Sequence, residues 1–290
     1  RVIDNRRIEF ETNDDKLFCD LINLIPNDKH LHNAMSPCPQ ELILMDKEEF
    51  NSVYEEVLRG LFDLVSCSLG REYGEFYTPS AITKLQAYIV NKEGCNEVFD
   101  PFCGTASIIH EMSKFGGVSH YSGQDVNYKT SIYARLNAEA HYGHDECIKN
   151  FDSISHWDET HFDAVVSCPP FAVRLTPEQL SLARHITPQC PCRSFEEIII
   201  TRPFYCNHAR LSVMLLPMGF LFRVNRDYEL RRELVERNLI DTVIALPANI
   251  LYGTSIPSVM LVCKRGRKQD EPIKFIHAEE YFLGDRRRRT

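Results

Sequence analysis

The chain predicts a doubly wound α/β domain, a mostly parallel sheet with helices on both faces, preceded by a mostly helical N-terminal segment. Three observations carry that reading. From about residue 71 onward, short apolar runs alternate with stretches of helical periodicity, the order that builds strand–helix–strand units. One run, Leu211-Ser212-Val213-Met214-Leu215-Leu216, is apolar almost throughout, as a strand covered on both faces must be. Asp100, Asp125 and Asp152 each follow a predicted strand, at the edge where open α/β sheets gather ligand-binding groups. The division expected is an N-terminal segment over 1–70 and the α/β domain over 71–285.

Taken in order, residues 46–69 place Phe50, Val53, Tyr54, Val57, Leu58, Leu61, Phe62 and Val65 every three to four positions, an amphipathic helix. A helix follows over about 80–91, with Thr78 or Ser80 available as a cap and Pro79 near its first turn. A strand ends at Val98-Phe99-Asp100, and a turn leads to a helix over about 105–115. A strand at 121–124 precedes a helix at 129–142 that carries Ile132, Tyr133, Leu136 and Ala140 on one face. Strands at 147–151 and 162–167 come next, then a loop over 174–193 rich in Thr, Pro and Cys. A helix at 194–206 feeds the apolar strand at 211–216, and a helix at 227–238 leads to strands at 242–246, 258–263 and 273–277.

Composition narrows the function classes. The 290 residues, 43% hydrophobic and 26% charged, suit a globular chain with a substantial core. No apolar run nears the ~20 residues that span a bilayer, and no charged-then-apolar leader opens the chain, so a cytoplasmic protein without membrane contact is expected. The chain opens on Arg1 and closes on Arg286-Arg287-Arg288-Arg289-Thr290, ends that look cut from something longer. Its eleven cysteines are scattered, with Cys103, Cys206 and Cys263 inside predicted elements, and read as buried free thiols. Cys190 and Cys192 with Cys206 and His208 have zinc-ligand chemistry. The helix predicted between them sets the pairs roughly 15–20 Å apart at ~1.5 Å per residue, so no metal site is expected. A formal charge of −8 leaves no continuous basic track for phosphates. Arg223, Arg226, Arg231 and Arg232, and then Lys264, Arg265, Arg267 and Lys268, read as solvated charge, so nucleic-acid binding would need a basic partner.

Two stretches bear chemistry. Asp100-Pro101-Phe102-Cys103-Gly104-Thr105-Ala106-Ser107 sits where a strand hands over to a helix, the place for a turn whose amides and helix end face a ligand. Of a full Gly-x-Gly-x-x-Gly only Gly104 is present, with Ala106 and Ser107 as small substitutes. Asp125, 25 residues after Asp100, stands where an acid suits ribose hydroxyls, and Asp152 stands where one can reach an adenine amino group. The second stretch, from Phe162 to Phe171, is a short buried strand that runs into a Pro169-Pro170 turn carrying an aromatic ring.

The run Ser167-Cys168-Pro169-Pro170-Phe171 resembles the catalytic motif of amino-group DNA methyltransferases, usually Asn-Pro-Pro-Phe or Asp-Pro-Pro-Tyr. Gly74-Glu75-Phe76-Tyr77-Thr78-Pro79, the Asp100 turn, Gln124-Asp125 and Asp152-Ser153 precede it in matching order. Leu216-Pro217-Met218-Gly219, Ile244-Ala245-Leu246-Pro247 and Gly253-Thr254-Ser255-Ile256-Pro257-Ser258 follow it. Across roughly residues 50–283 the chain resembles the modification (M) subunits of type I restriction–modification systems, which are adenine-N6 DNA methyltransferases. The family also carries a longer C-terminal helical region.

The resemblance implies a Rossmann-like methyltransferase sheet and S-adenosylmethionine as cofactor. Tyr77, Thr78 and Pro79 would line its pocket, Asp100 and Gly104 would hold the methionine part, Asp125 the ribose and Asp152 the adenine. Phe171 would stack on a target adenine taken out of the duplex. Cys168, Pro169, Pro170 and Phe171 form the implied catalytic set. DNA, met through a separate specificity subunit, and a restriction subunit are the implied partners.

The departure is Cys168, where the family has Asn or Asp. A neutral thiol is a weak acceptor for the amino hydrogens of adenine, whereas the Pro169 carbonyl is retained. A cysteine nucleophile of the cytosine-C5 type is disfavoured, because the order is Cys-Pro and no His or Lys adjoins it. Three readings stay open beside a slow adenine methyltransferase. One is a competent enzyme with a drifted residue, the second an inactive relative that binds cofactor, DNA or a partner. The third is an enzyme acting on another amino or amide group, such as a protein glutamine or an RNA base.

Overall fold

In the computed structural model, residues 78–281 are described apart from residues 172, 191, 225, 252 and 253; the segment at 1–70, with its helix at 46–69, lies outside the described residues. The first element is α1 (Ser80–Lys92), which buries Ile82, Thr83, Gln86, Ala87 and Val90 along one stripe. Pro79 stands at its N-cap and no side chain caps it, so neither Thr78 nor Ser80 serves as the expected cap. There follow β1 (Glu97–Asp100), α2 (Ile108–Ser113), β2 (His120–Gln124), α3 (Tyr128–Tyr142), β3 (Ile148–Lys149) and β4 (Ala164–Ser167). The second half contains α4 (Pro177–Ile186), α5 (Phe195–Tyr205), β5 (Leu211–Pro217), a 3₁₀ turn (Met218–Leu221), α6 (Arg226–Glu236), β6 (Ile240–Ala245), β7 (Ser258–Lys264) and β8 (Lys274–His277).

The strands form one sheet in the order β3-β2-β1-β4-β5-β7-β6-β8. Every neighbouring pair is parallel except the two made by β7, which runs antiparallel to β5 and to β6. From β1 the chain moves outward to β2 and β3, then returns to place β4 and β5 on the other side. The order therefore reverses between β1 and β4, and the carboxyl ends of those strands open the crevice used for ligands. The mostly parallel doubly wound sheet expected from the sequence is the fold observed.

Successive strand residues face opposite layers. Val98, Val166, Val213 and Leu215 pack with Ile82, Val90, Ile109 and Met112 of α1 and α2. Phe99, Val165, Met214 and Leu216 pack with Ile198, Ile199 and Phe204 of α5 and with Leu230 and Leu234 of α6. All seven residues of β5 are buried, as its composition requires.

Local chemistry sets the helix ends. Asn127 caps α3 by accepting from the Lys129 and Thr130 amides, and Gly143 ends it at φ 72°. The sequence reading corrects at three places. Residues 174–193 are not all loop: α4 lies inside them, started by a capping box between Thr176 and Gln179 with Pro177 at the first helical position. The second helix begins at Ile108 and not at 105, because Ala106 has φ 54° and cannot belong to a right-handed helix. Cys103 accordingly lies in a turn and not inside an element, and the third strand shrinks to two residues.

The cysteines correct a fourth point. Cys190 folds back along α5 and accepts from Thr201 Oγ1 at 3.1 Å, so that helix does not hold Cys190 and Cys206 a full helix length apart. All eight described cysteines are free thiols, with Cys168 and Cys206 only partly buried. Among the described residues no group of three or more His, Cys, Asp or Glu is arranged to hold a metal ion.

Asn207, fully buried, holds the segment that follows β3. Its amide donates to the Asp158 and Thr160 carbonyls at 2.6 and 2.8 Å, and its oxygen accepts from the Trp157 indole at 2.8 Å. Trp157 in turn meets the Phe99 ring edge-on at 5.4 Å. Replacing Asn207 by Leu strands one buried donor and two carbonyls. The expected loss is about 3 kcal/mol of stability, read as a lower urea midpoint with an unchanged denaturant slope.

Candidate active site

The crevice is built on one buried carboxyl. Asp100, at the tip of β1, accepts from the Ser167 hydroxyl at 2.8 Å and from the Phe102 amide at 3.1 Å, both on Oδ1. Ser167 ends β4, so this bond ties the two strands at the switch point to each other. Burial pushes the Asp100 carboxyl up to about 7; its two donors resist the shift and nearby Asp125 adds to it. Among the described residues no cation pairs with Asp100.

Beyond Asp100 the chain bends sharply. Gly104 and Ala106 both take left-handed conformations at φ 54°, and for Ala106 this is the strained region that glycine occupies without cost. The turn settles on β2 because Gly123 has no side chain: a Cβ there would stand 3.0 Å from Cys103 Sγ and 2.9 Å from Ile148 Cδ1. Asp125 closes the turn. It accepts from the Gly104 amide at 3.0 Å, the Asn127 amide at 2.8 Å and the Thr130 hydroxyl at 2.9 Å. Burial raises its pKa against those three donors. With about four acceptor positions on a carboxylate, three are filled and one remains open.

The Asp152 corner is fastened to the same frame. Asp152 accepts from the Ile154 amide at 3.0 Å and the Ser155 hydroxyl at 2.9 Å, so much of its acceptor capacity shapes its own turn. Ser153 donates to the Pro101 carbonyl at 2.6 Å and also contacts Gln124 Oε1 at 3.0 Å, which links this corner to the Asp100 turn. Arg202, fully buried, holds the Ser153 and Ile154 carbonyls at 2.7 and 3.0 Å and lies 5.3 Å from the Trp157 ring centre.

At the Cys-Pro-Pro-Phe turn, Pro169 is buried and Pro170 exposed, and Cys168 and Phe171 pack partly buried against the α1 side of the core. Cys168 Sγ lies 3.5 Å from Gln86 Oε1. The Thr78 hydroxyl stands near the sulfur and holds its pKa down, while burial, the larger effect, raises the thiol well above its ordinary value. It is a neutral thiol, which is inconsistent with a nucleophilic thiolate.

Of the residues singled out from sequence, Gly104 and Asp125 meet directly, Asp100 bonds Ser167 next to Cys168, and Asp152 is linked through Ser153 to Pro101 and Gln124. Tyr77 lies outside the described residues. Ser167, Gln124 and Ser153 stood in the quoted motifs without an assigned part, and Arg202 and Gln86 were not foreseen. Gln86 alone left a signal: it interrupts the buried stripe of α1 between Ile82 and Val90, at the spacing where an apolar residue belongs.

The raised Asp100 pKa has a signed consequence. Between about pH 4 and 7 the native state keeps a proton that the unfolded chain, with an ordinary value of 3.8, has released. Stability therefore falls as pH rises through that window. Asp100→Asn mimics the neutral carboxyl. Its thermal midpoint is expected to decline less than the parent's between pH 4 and 7; parallel declines would contradict the assignment.

A family model described as N-6 DNA Methylase matches residues 45–290. The type I restriction enzyme MpnII methylase subunit of Mycoplasma pneumoniae is 27% identical, over 84% of this chain and 50% of its own length. The MjaIX methylase subunit of Methanocaldococcus jannaschii is 28% identical, over 84% of this chain and 46% of its own length. The chain thus spans about half the length of the curated relatives it matches. Among solved structures, the type I restriction–modification system methyltransferase subunit from Streptococcus thermophilus aligns with a TM-score of 0.70 at 26% identity, covering 86% of this chain and 57% of that one. A Rossmann-like sheet with Asp100 and a Cys-Pro-Pro-Phe turn at its switch point agrees with that match, and the chain belongs to the N-6 DNA methylase family.

Proposed function

We propose that the chain is the S-adenosylmethionine-dependent, adenine-N6 methylating part of a modification subunit, slowed at the chemical step by Cys168. The observation that carries this reading is the Asp100–Ser167 bond, which couples an uncompensated buried carboxyl to the strand that delivers the Pro-Pro turn. Asp100 would take the ammonium of the cofactor's amino acid part, with Gly104, Thr78, Pro79 and Tyr77 around it. Asp125 would take a ribose hydroxyl on its remaining acceptor position, and Asp152 the adenine amino group. When bound, S-adenosylmethionine supplies an electrophilic methyl group.

The chain's own residues then handle the amino group that is to be methylated. Its lone pair is delocalised into the ring, and acceptors for its two hydrogens restore nucleophilicity. Phe171 would stack on the extruded base and the Pro169 carbonyl would accept one hydrogen. The second acceptor falls to residue 168, where neutral sulfur accepts weakly. Losing one preorganised transition-state hydrogen bond costs on the order of 3–4 kcal/mol, or ~10²–10³ in rate. Cys168→Asn is therefore expected to raise adenine methylation by about that factor, measured with DNA, cofactor and partner subunits present. No increase would mean that Cys168 does not limit the reaction.

Sequence recognition would come from a separate specificity subunit, with a restriction subunit as a further partner. Support comes from the net charge of −8 and from cations that are already engaged: Arg223 pairs with Asp227 and Arg232 with Glu236, and Arg231 is held by the Phe220 and Arg223 carbonyls. The isolated chain is expected to show no specific DNA binding at physiological salt; nanomolar specific binding in a fluorescence-anisotropy titration would contradict this. A second reading, an inactive relative acting as a cofactor- or partner-binding module, is favoured by the Cys168 thiol facing Gln86. The Cys168→Asn comparison separates the two.

A further inference from the structure

Gln86 is a polar side chain in the buried stripe of α1, only 2% exposed. Its amide nitrogen donates to two strand carbonyls, Ser167 O on β4 at 3.1 Å and Val213 O on β5 at 3.4 Å. Carbonyls accept and cannot donate, so the amide cannot be turned over without two oxygen–oxygen clashes in a buried site. Its orientation is fixed, and the remaining atom, Oε1, points at Cys168 Sγ. An oxygen that only accepts must be met by a donor. We infer that Gln86 is a positioning residue: its Oε1 holds the hydrogen of whichever side chain stands at 168, and so decides which side chains work there and which way they face.

In the present chain the S–H of Cys168 points inward to Gln86. The Thr78 hydroxyl, which also stands near the sulfur, can donate as well as accept and so does not compete for the thiol hydrogen. Asparagine at 168 would donate an amide N–H to Oε1 and turn its own oxygen outward, where an amino group would be met. Aspartate would put a carboxylate oxygen against Oε1, an unfavourable pairing in a buried site. The Gln86 arrangement therefore admits Asn and rejects Asp, although residues of both kinds serve at this motif position in amino-group methyltransferases.

This assignment rests on the methyltransferase reading only for its catalytic consequence, and two measurements keep them apart. The S–H stretching band of Cys168 is isolated as the infrared difference between the parent and Cys168→Ser, then compared with the same difference in a Gln86→Met background. With Gln86 present the band is expected at the lower frequency of a donating thiol, and Gln86→Met is expected to move it up. Gln86→Leu serves as a second background if the methionine variant does not fold. An unmoved band overturns the proposal.

Adenine methylation is then compared in Cys168→Asn and Cys168→Asp with partners present. Asn is expected to exceed Asp by ~10-fold or more, and adding Gln86→Met to each is expected to shrink that ratio, since a buried charge-facing mismatch is removed. Equal activities of the Asn and Asp variants with Gln86 in place also overturn the proposal. A moved band with no methylation in any variant upholds the role of Gln86 and overturns the adenine-methyltransferase reading instead.

Discussion

A single hydrogen bond between two buried groups, Ser167 Oγ to Asp100 Oδ1, organises this fold's working edge. It joins β1 and β4 at the point where the strand order reverses, so the Asp100 turn and the Pro169-Pro170 turn share one anchor. Neither partner has water to fall back on: Ser167 is fully buried and Asp100 is 6% exposed. The bond is therefore expensive to lose, and burial holds the carboxyl's pKa up to about 7. Asp125 and Asp152 extend the same frame outward, through Gly104 on one side and Ser153 on the other.

Much of this edge was legible in the order of residues. Acids after successive strands, one glycine in the first turn and Pro-Pro-Phe after the fourth strand all fall where sheet topology puts ligand chemistry. Hydrophobic runs located β5 and the alternation located most of the rest. What escaped was set by hydrogen bonds between residues far apart in the chain. Ser167 looks like any strand-end serine until Asp100 is beside it. Arg202 looks like a surface charge on a helix, yet it is buried against the Ser153 and Ile154 carbonyls, which no periodicity encodes. The helix at α4 was missed for another reason: Cys and Pro nearby masked a Thr-Pro-Glu-Gln start that is a proper capping box.

Cys168 gains meaning from its surroundings. Read alone, it is a missing acceptor. In place, it is one half of a pair with Gln86, whose amide is clamped by β4 and β5 so that only a donor can satisfy it. The motif position and its support are thus matched to each other, and the pair lies next to Asp100 in the same small volume. The family relationship extends over residues 45–290, while the curated relatives continue for about as much chain again. The net charge of −8 sets the chain apart from one that grips phosphate by itself.

The claim on which the rest depends is that Asp100 is a buried, proton-holding carboxyl waiting for a cationic ligand. Calorimetric titration of the chain with S-adenosylmethionine at pH 6.5, in two buffers of different ionisation enthalpy, tests it most directly. Binding accompanied by net proton release, seen as a buffer-dependent heat that vanishes in Asp100→Asn, is the result expected from a carboxyl raised to about 7. Absence of binding, or binding whose heat is the same in both buffers, would contradict it.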